Sequence, residues 1–272
     1  MSVSARPTTG LRRLVATRYV TALREGGSVP AVVEADDGAL YVAKFQGAAQ
    51  GGRALVAELI AGELARAAGL PVPELALIEV DAALGLSEPH QEIRELLVAS
   101  AGLNLAMGYL AGSVGYDVAA RLPVAGELAS AVVAFDLFVA NVDRTARNPN
   151  LLWWQQELWL IDHGAALYWH HGVDGETTDS ALIASARRPF ARTAEHVLLP
   201  FADSLPQAGR SLMAAVDDAA IAHAIDVVPP GWMDGALSLE RLRAAYALWL
   251  RERRAALPLI LEEADRVRAA AV

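Results

Sequence analysis

The sequence predicts an α+β fold with a small β-rich N-terminal lobe and a larger, mostly helical C-terminal lobe. Apolar and polar residues alternate with period two in the first third of the chain, whereas helical spacing dominates after about residue 126. Hydrophobic residues make up 54% of the 272 residues, which is enough to bury one large domain or two lobes. A glycine-containing connection follows residue 110, so we place the two domains at 1–110 and 111–272.

Three strands are predicted at the start of the N-terminal lobe. Residues 15–23 place Val15, Thr17, Tyr19, Thr21 and Leu23 on one face, which is typical of a strand. A turn at 24–28 leads to a second strand at 29–35. Asp36-Asp37-Gly38 favours a tight hairpin into a third strand at 39–45.

The remainder of this lobe is predicted to contain two helices and two further strands. Helical spacing runs over 53–68, where Gly69 is well placed to end the helix and the following prolines prevent its continuation. A strand at 75–80, a short helix at 91–99 and a strand at 104–110 follow.

The C-terminal lobe is predicted to begin with a strongly apolar helix at 127–141. A polar loop at 143–150 precedes two short strands at 151–154 and 158–161. The clearest later helices are predicted at 211–225, 238–256 and 257–270.

Composition and charge exclude several classes of function. The net charge of −9 disfavours broad binding to nucleic acid or to an anionic membrane. The chain has no cysteine, which excludes disulfides, thiol catalysis and thiolate-bound zinc and is compatible with a reducing compartment. The longest apolar run, 128–142, is interrupted by Asp136 and is too short to span a bilayer. We find no targeting segment, so we expect a cytoplasmic protein.

A set of polar residues along the chain indicates phosphoryl transfer. A glycine turn (Gly26, Gly27, Ser28) can bring backbone N–H groups close to phosphates, and the single lysine of the chain, Lys44, follows on a strand. Asp143 and Asn148 are five positions apart, the spacing at which kinases place a catalytic aspartate and a metal-binding asparagine. Asp162 comes at the end of a later apolar strand, where a second metal-binding carboxylate is expected.

Each of these residues also has a structural interpretation. Lys44 could be an ordinary edge-strand lysine, and Asp143 and Asn148 could simply end a helix and form a turn. Arg144 could pair with an acidic neighbour and hold the loop. The arginines near the C-terminus, Arg251, Arg253 and Arg254, are predicted to form a solvated helix face.

The sequence resembles the HipA-like kinases, whose atypical kinase fold is related to that of the phosphatidylinositol kinases. The resemblance covers roughly residues 15–170. It is carried by the segments REGGS (24–28), YVAKF (41–45), ELIAGELARAAGLPVPE (58–74), NVDRTARN (141–148) and LIDHG (160–164).

The resemblance implies a bilobal protein-kinase-like fold and a role for each matched residue. Lys44 resembles the lysine that binds ATP phosphates and Glu58 its partner on a helix. Asp143 resembles the catalytic aspartate, and Asn148 and Asp162 resemble the metal ligands. Residues 106–110, with Met107 and Tyr109, fall where the family binds adenine.

These implications predict an enzyme that uses ATP and Mg²⁺ to phosphorylate a hydroxyl group, with a Ser/Thr side chain of a protein as the favoured acceptor. Three other functions stay open on the sequence alone. They are a small-molecule kinase of the aminoglycoside-phosphotransferase type, a nucleotidyl transferase on a kinase-like fold, and a nucleotide-binding pseudokinase that acts through interactions.

Overall fold

The computed structural model describes residues 11–23, 30–48, 51–120 and 122–271. Their backbone forms two compact units. The first combines the described residues up to 51 with residues 74–109, and the second combines 52–73 with the chain from 110 onward. Strands dominate the first part of the sequence and helices the second, so the predicted mixture of α and β structure and its order are confirmed.

The first unit contains a closed five-stranded barrel. Its strands are β1 (Arg12–Ala22), β2 (Ala31–Ala35), β3 (Leu40–Lys44), β4 (Leu75–Val80) and β5 (Gly102–Gly108). The order around the barrel is β1-β2-β3-β5-β4. All neighbouring strands are antiparallel except β1 and β4, whose parallel pairing joins Arg12–Val15 to Ala76–Glu79 and closes the barrel.

Alternation along the strands fills the interior of this barrel. Leu14, Val33, Ala43, Ile78 and Ala106 are among the buried residues that form its core. The helix α2 (Gln91–Ala99) adds Ile93 and Leu97 to the same cluster. The hairpin between β2 and β3 turns where predicted, because Gly38 adopts a φ of 78° that glycine tolerates at no steric cost.

The second unit is mainly helical and contains one small sheet. Its helices are α1 (Gly51–Ala67, in this unit from Gly52), α3 (Gly126–Val139), α4 (Asp179–Ala186), α5 (Leu205–Ala215), α6 (Asp218–Asp226) and α7 (Leu239–Ala271). Its sheet consists of β6 (Val114–Gly115), β7 (Leu151–Trp154) and β8 (Glu157–Leu160), in that order.

Two helices in this unit are buried around most of their circumference. Most of α1 from Leu55 to Ala65 is inaccessible to solvent, and so is α3 from Val132 to Val139. A helix that is apolar on all sides belongs in the interior of a domain, as the composition of 128–142 predicts. Helix α3 ends because Ala140 adopts a left-handed conformation, with φ of 52° and ψ of 48°.

Several predicted boundaries differ from those in the structure. Strand β5 lies two residues earlier than the predicted 104–110. The predicted helix 211–225 is two helices, because the chain leaves α5 at Val216 and the Asp217 side chain then caps α6 by accepting the Ala220 amide at 2.8 Å. The predicted helices 238–256 and 257–270 are one continuous helix that accommodates Pro258.

None of the helices in the described part of the chain has both the length and the apolar character needed to cross a bilayer.

Candidate functional site

The loop after α3 brings together two of the predicted site residues. The Asn148 side-chain amide donates to Asp143 Oδ2 at 2.6 Å, and the Asn150 amide approaches the same oxygen at 3.5 Å. The backbone N–H of Asp143 donates to Asn141 Oδ1 at 3.2 Å. Asp143 Oδ1 accepts no hydrogen bond from the described residues, so this oxygen is available to a hydroxyl group. Asn148 as a residue is exposed to solvent.

Arg144 ties this loop to the strand that precedes Asp162. Arg144 is fully buried, and its Nη1 donates to the carbonyl of Asn150. The same nitrogen lies 3.4 Å from the carbonyl of Ile161, and the Ile161 amide donates to the Asn150 carbonyl at 3.1 Å. One buried cation therefore fixes the backbone beside Asn148 and the backbone beside Asp162 relative to each other.

The charge of Arg144 is balanced by Asp136, a carboxylate buried within α3. Asp136 Oδ2 accepts from Arg144 Nε, and Oδ1 accepts from the Asn141 side-chain amide at 3.0 Å. Burial alone would raise the pKa of Asp136. The positive charge of Arg144 and the hydrogen bond from His196 outweigh burial, so the pKa lies well below its ordinary value. The carboxylate is thus ionised under all ordinary conditions and holds the start of the loop.

His196 completes this buried cluster in a defined tautomer. The Leu198 backbone N–H donates to His196 Nδ1 at 3.1 Å, so Nδ1 is the unprotonated nitrogen. Nε2 then carries the proton and donates to Asp136 Oδ2 at 3.0 Å. The segment around His196 also pairs with the loop backbone, since the Val197 amide donates to the Arg144 carbonyl at 3.1 Å.

Asp162 follows β8 in a left-handed backbone conformation. Its φ of 55° lies in the left-handed region, which is uncommon for residues other than glycine, asparagine and aspartate. Gly164 follows closely, and a Cβ added there would lie 3.5 Å from Asp162 Oδ1 and 3.5 Å from Glu58 Oε2. The carboxylates of Asp162 and Glu58 therefore both border the Cα of Gly164.

Glu58 lies in the buried part of α1 and faces His163. Its side chain is 1% exposed, and Oε1 is 3.7 Å from His163 Nδ1. The His163 ring also packs edge-on against Phe135 of α3. His163 therefore lies in the interior of the second unit, between Glu58 of α1 and Phe135 of α3.

The structure places the remaining predicted residues in the first unit. Lys44 ends β3, is half-buried and pairs in register with Leu105 of β5. Met107 is buried on β5 between Val42 and Leu75, and Tyr109 follows the strand with 40% of its surface exposed. The glycine turn of Gly26, Gly27 and Ser28 lies outside the described residues.

The second unit contains oxygen-bearing side chains of the types that bind magnesium. Among the described residues, no three His, Asp or Glu side chains converge as a ready-made metal cage. Magnesium does not need one, because it is commonly held by one or two carboxylates, with water and substrate phosphates completing its octahedron. Asp162 and the Asn148 amide oxygen supply oxygen ligands of this kind.

Sequence reasoning missed Asp136, Asn141 and His196 as parts of the site. Asp136 carried a signal, because a single carboxylate inside an otherwise apolar helix needs a buried partner. The structural interpretation of Arg144, pairing with an acid to hold the loop, is confirmed. His196 carried no signal, because it is 60 residues from its partner in sequence.

A family model described as HipA-like kinase matches residues 17–196, which is most of the chain. The chain belongs to the HipA-like kinase family. The resemblance seen in the sequence is thereby confirmed, and the chain is a kinase by family. The match includes every predicted site residue, and it ends at His196, before the last three helices.

One solved kinase structure, that of CtkA, shares this fold. A crystal structure of the Helicobacter pylori proinflammatory kinase CtkA aligns with a TM-score of 0.55 at 14% identity, covering 93% of this HipA-like chain and 98% of CtkA. A Golgi casein kinase with Mn/ADP bound aligns with a TM-score of 0.44 at 12% identity, covering 97% and 76% of the two chains. No curated protein matches the sequence significantly.

Proposed function

We propose that this HipA-like kinase transfers the γ-phosphate of ATP to a hydroxyl group with the help of Mg²⁺. The observation that carries the proposal is the loop at 143–150. Asn148 holds one oxygen of Asp143 and leaves the other available, while buried Arg144 links the loop to the strand end before Asp162. A fixed carboxylate and nearby oxygen ligands are what positional catalysis of phosphoryl transfer requires.

In this proposal each residue has one task. Asp143 accepts a hydrogen bond from the acceptor hydroxyl through Oδ1, orients it toward the γ-phosphate and receives its proton as transfer proceeds. Asn148 and Asp162 hold Mg²⁺, which when bound neutralises charge on the phosphate oxygens. Lys44 supplies an ammonium to the phosphates, and Glu58 is the acidic residue that the family pairs with it.

The finer parts of the proposal follow from the family rather than from contacts. They include the two-lobed arrangement with domains at 1–110 and 111–272, phosphate binding by Gly26, Gly27 and Ser28, and adenine binding by Met107 and Tyr109. A Ser/Thr side chain of a protein is the acceptor we propose. The cytoplasm is the compartment we expect.

The test is phosphoryl transfer from radiolabelled ATP, with and without Mg²⁺, by wild type, Asp143→Asn and Asp162→Ala. Autophosphorylation and a panel of protein and small-molecule acceptors serve as readouts. Asp265→Asn is the matched control, because Asp265 is an aspartate on α7 whose contact is an ion pair with Arg268. We expect both site variants to lose at least about 100-fold in transfer rate, and the control to keep wild-type activity.

Full activity in both site variants would refute the assigned roles. A thermal-shift titration with ATP and Mg²⁺ separates the other outcomes, because a ligand that binds only the folded protein raises its apparent stability. A shift without any transfer by the wild type would indicate a pseudokinase. Transfer only to small molecules would favour the aminoglycoside-phosphotransferase type of function.

A further inference from the structure

The last helix of the chain, α7, lies beyond the region matched by the family. It nevertheless sends one arginine into the interior of the second unit. Arg253 is 2% exposed, whereas its neighbours Arg251 and Arg254 pair at the surface with Asp218. The expectation of a solvated helix face therefore holds for these neighbours and is wrong for Arg253.

Within the described part of the chain, every hydrogen bond of the Arg253 guanidinium goes to a backbone carbonyl group. Nε and Nη2 donate to Leu137 at 3.0 and 2.7 Å, and Nη1 donates to Ala186 at 3.0 Å and to Arg188 at 2.6 Å. Among the described residues no carboxylate is within ion-pair distance of Arg253. The group also lies over the ring of Trp249, 5.7 Å from its centre.

The Leu137 carbonyl needs this donor because of how α3 ends. The amides of Ala140 and Asn141 both donate to the Asp136 carbonyl, so neither reaches Leu137. An unpaired carbonyl in the last turn of a buried helix is costly. The carbonyl ends of α3 and α4 also carry partial negative charge, which a buried cation offsets. Burial lowers the pKa of Arg253 to about 10, which leaves it charged at neutral pH.

Arg253 binds the last turn of α3, and the loop at 143–150 that contains Asp143 follows this turn in the chain. Leu137 is adjacent to Asp136, whose carboxylate binds Arg144. It also lies four residues before Asn141, whose side-chain oxygen accepts a hydrogen bond from the Asp143 backbone N–H. A displacement of this turn would therefore move Asp143. Misplacement of a catalytic group by about 1 Å can reduce a rate by about 100-fold.

We propose that Arg253 is a positioning residue, through which the C-terminal helix fixes the end of α3 and so the geometry of Asp143. The expected effect on the rate of phosphoryl transfer rests on the proposed function, whereas the expected effect on the end of α3 does not. This role of Arg253 gives the segment beyond the family match a defined task.

The experiment compares Arg253→Met with Arg254→Met on the full chain. Arg254 is the matched control, because it lies on the same helix, donates to the Val216 carbonyl at 2.9 Å and pairs with Asp218, and takes no part in the cluster around α3. Amide hydrogen exchange is measured over a peptide covering 137–148, and transfer kinetics are measured with ATP varied. Arg253→Lys is included as the milder variant in case the methionine variant does not fold.

We expect Arg253→Met to speed exchange over 137–148 by at least about tenfold and to lower kcat by about 10- to 100-fold, while KM for ATP changes less than about threefold. Arg253→Lys should recover part of kcat, since it keeps the charge but cannot reach all three carbonyls. Arg254→Met should leave both measurements near wild type.

Equal exchange over 137–148 in the two methionine variants would overturn the proposal, whether or not the protein shows kinase activity. Equal losses of kcat in the two variants would overturn it as well, because they would reflect general destabilisation. A wild type without phosphoryl transfer would refute the proposed function instead, and the exchange comparison would still decide the role of Arg253.

Discussion

Replacing Arg144 by methionine tests the buried cluster that supports the candidate site. The substitution keeps most of the side-chain volume and removes the charge and all donors. Asp136 then retains two donors, Asn141 and His196, but loses the cation that balances it. The carbonyl of Asn150 loses its arginine donor but keeps the amide of Ile161.

The magnitude follows from the burial of both partners. The side chains of Arg144 and Asp136 are 0% and 1% exposed, so solvent does not screen the pair. Removing one member of such a pair typically costs about 3–5 kcal/mol, because a buried charge remains. Asp136 keeps the hydrogen bonds from Asn141 and His196, which places our expectation at the lower end, about 3 kcal/mol.

The assay is urea unfolding of wild type, Arg144→Met, Asp136→Asn and the double variant. Because the two groups touch, we expect the double variant to be more stable than the sum of the single losses by at least about 1 kcal/mol. Measurement at two pH values separates charge from volume. Burial raises the pKa of Asp136, and the charge of Arg144 is the largest of the influences that lower it. Without that charge the pKa of Asp136 moves upward, so this carboxyl binds a proton at a higher pH in the variant than in wild type, and lower pH favours the folded variant relative to wild type. The loss in Arg144→Met should therefore be smaller at pH 5 than at pH 7.5.

Two results would refute this reasoning. A loss below about 1 kcal/mol would mean that the pair contributes no more than an exposed one. An equal loss at pH 5 and pH 7.5, with additive single variants, would mean that the cost arises from packing rather than from the uncompensated carboxylate.

Two further predictions concern other parts of the second unit. Burial, together with the charges of His171 and Arg53, lowers the pKa of His170 to about 3. The ring of His170 should therefore stay neutral from pH 8 down to pH 5. A midpoint near 6.5 in an NMR titration of this ring would contradict the prediction. The stability that His170 contributes is fully present above about pH 6.5 and declines as the pH falls toward 3. Replacing exposed Pro258 inside α7 by alanine should raise the free energy of unfolding by about 1–3 kcal/mol, since proline is a poor residue in a helix interior. No gain in stability in thermal or urea unfolding would show that Pro258 does not destabilise the helix.

The elements with strong local signals could be predicted from the sequence. The alternation in 15–23, the Asp-Asp-Gly turn and the stop at Gly69 act through nearby residues, so their patterns can be recognised without tertiary information. The closure of the barrel could not be predicted, because β1 and β4 pair across about 60 residues. The continuity of α7 through Pro258 likewise depends on packing that overrides local preference.

Some residues of the candidate site could likewise be predicted from the sequence, and others could not. Asp143, Asn148 and Asp162 follow an order and spacing typical of kinases, so the sequence indicates them as candidate residues. His196 and Arg253 make contacts that join segments distant in sequence, to Asp136 across 60 residues and to Leu137 across 116 residues. Arginines that donate to carbonyl groups leave no charge pattern, which is why Arg253 could not be distinguished from its surface neighbours Arg251 and Arg254.

The order of strands in the barrel has a consequence for how the chain folds during synthesis. The first three strands form successive antiparallel pairs, so they can associate as soon as Lys44 has emerged from the ribosome. Strand β4 lies between β1 and β5, and β3 pairs with β5, so closure waits for residue 108. Until then both outer strands of the nascent sheet, β1 and β3, expose unpaired backbone groups, the kind of edge that promotes aggregation. We therefore expect fragments that end before residue 102 to aggregate or to need a chaperone.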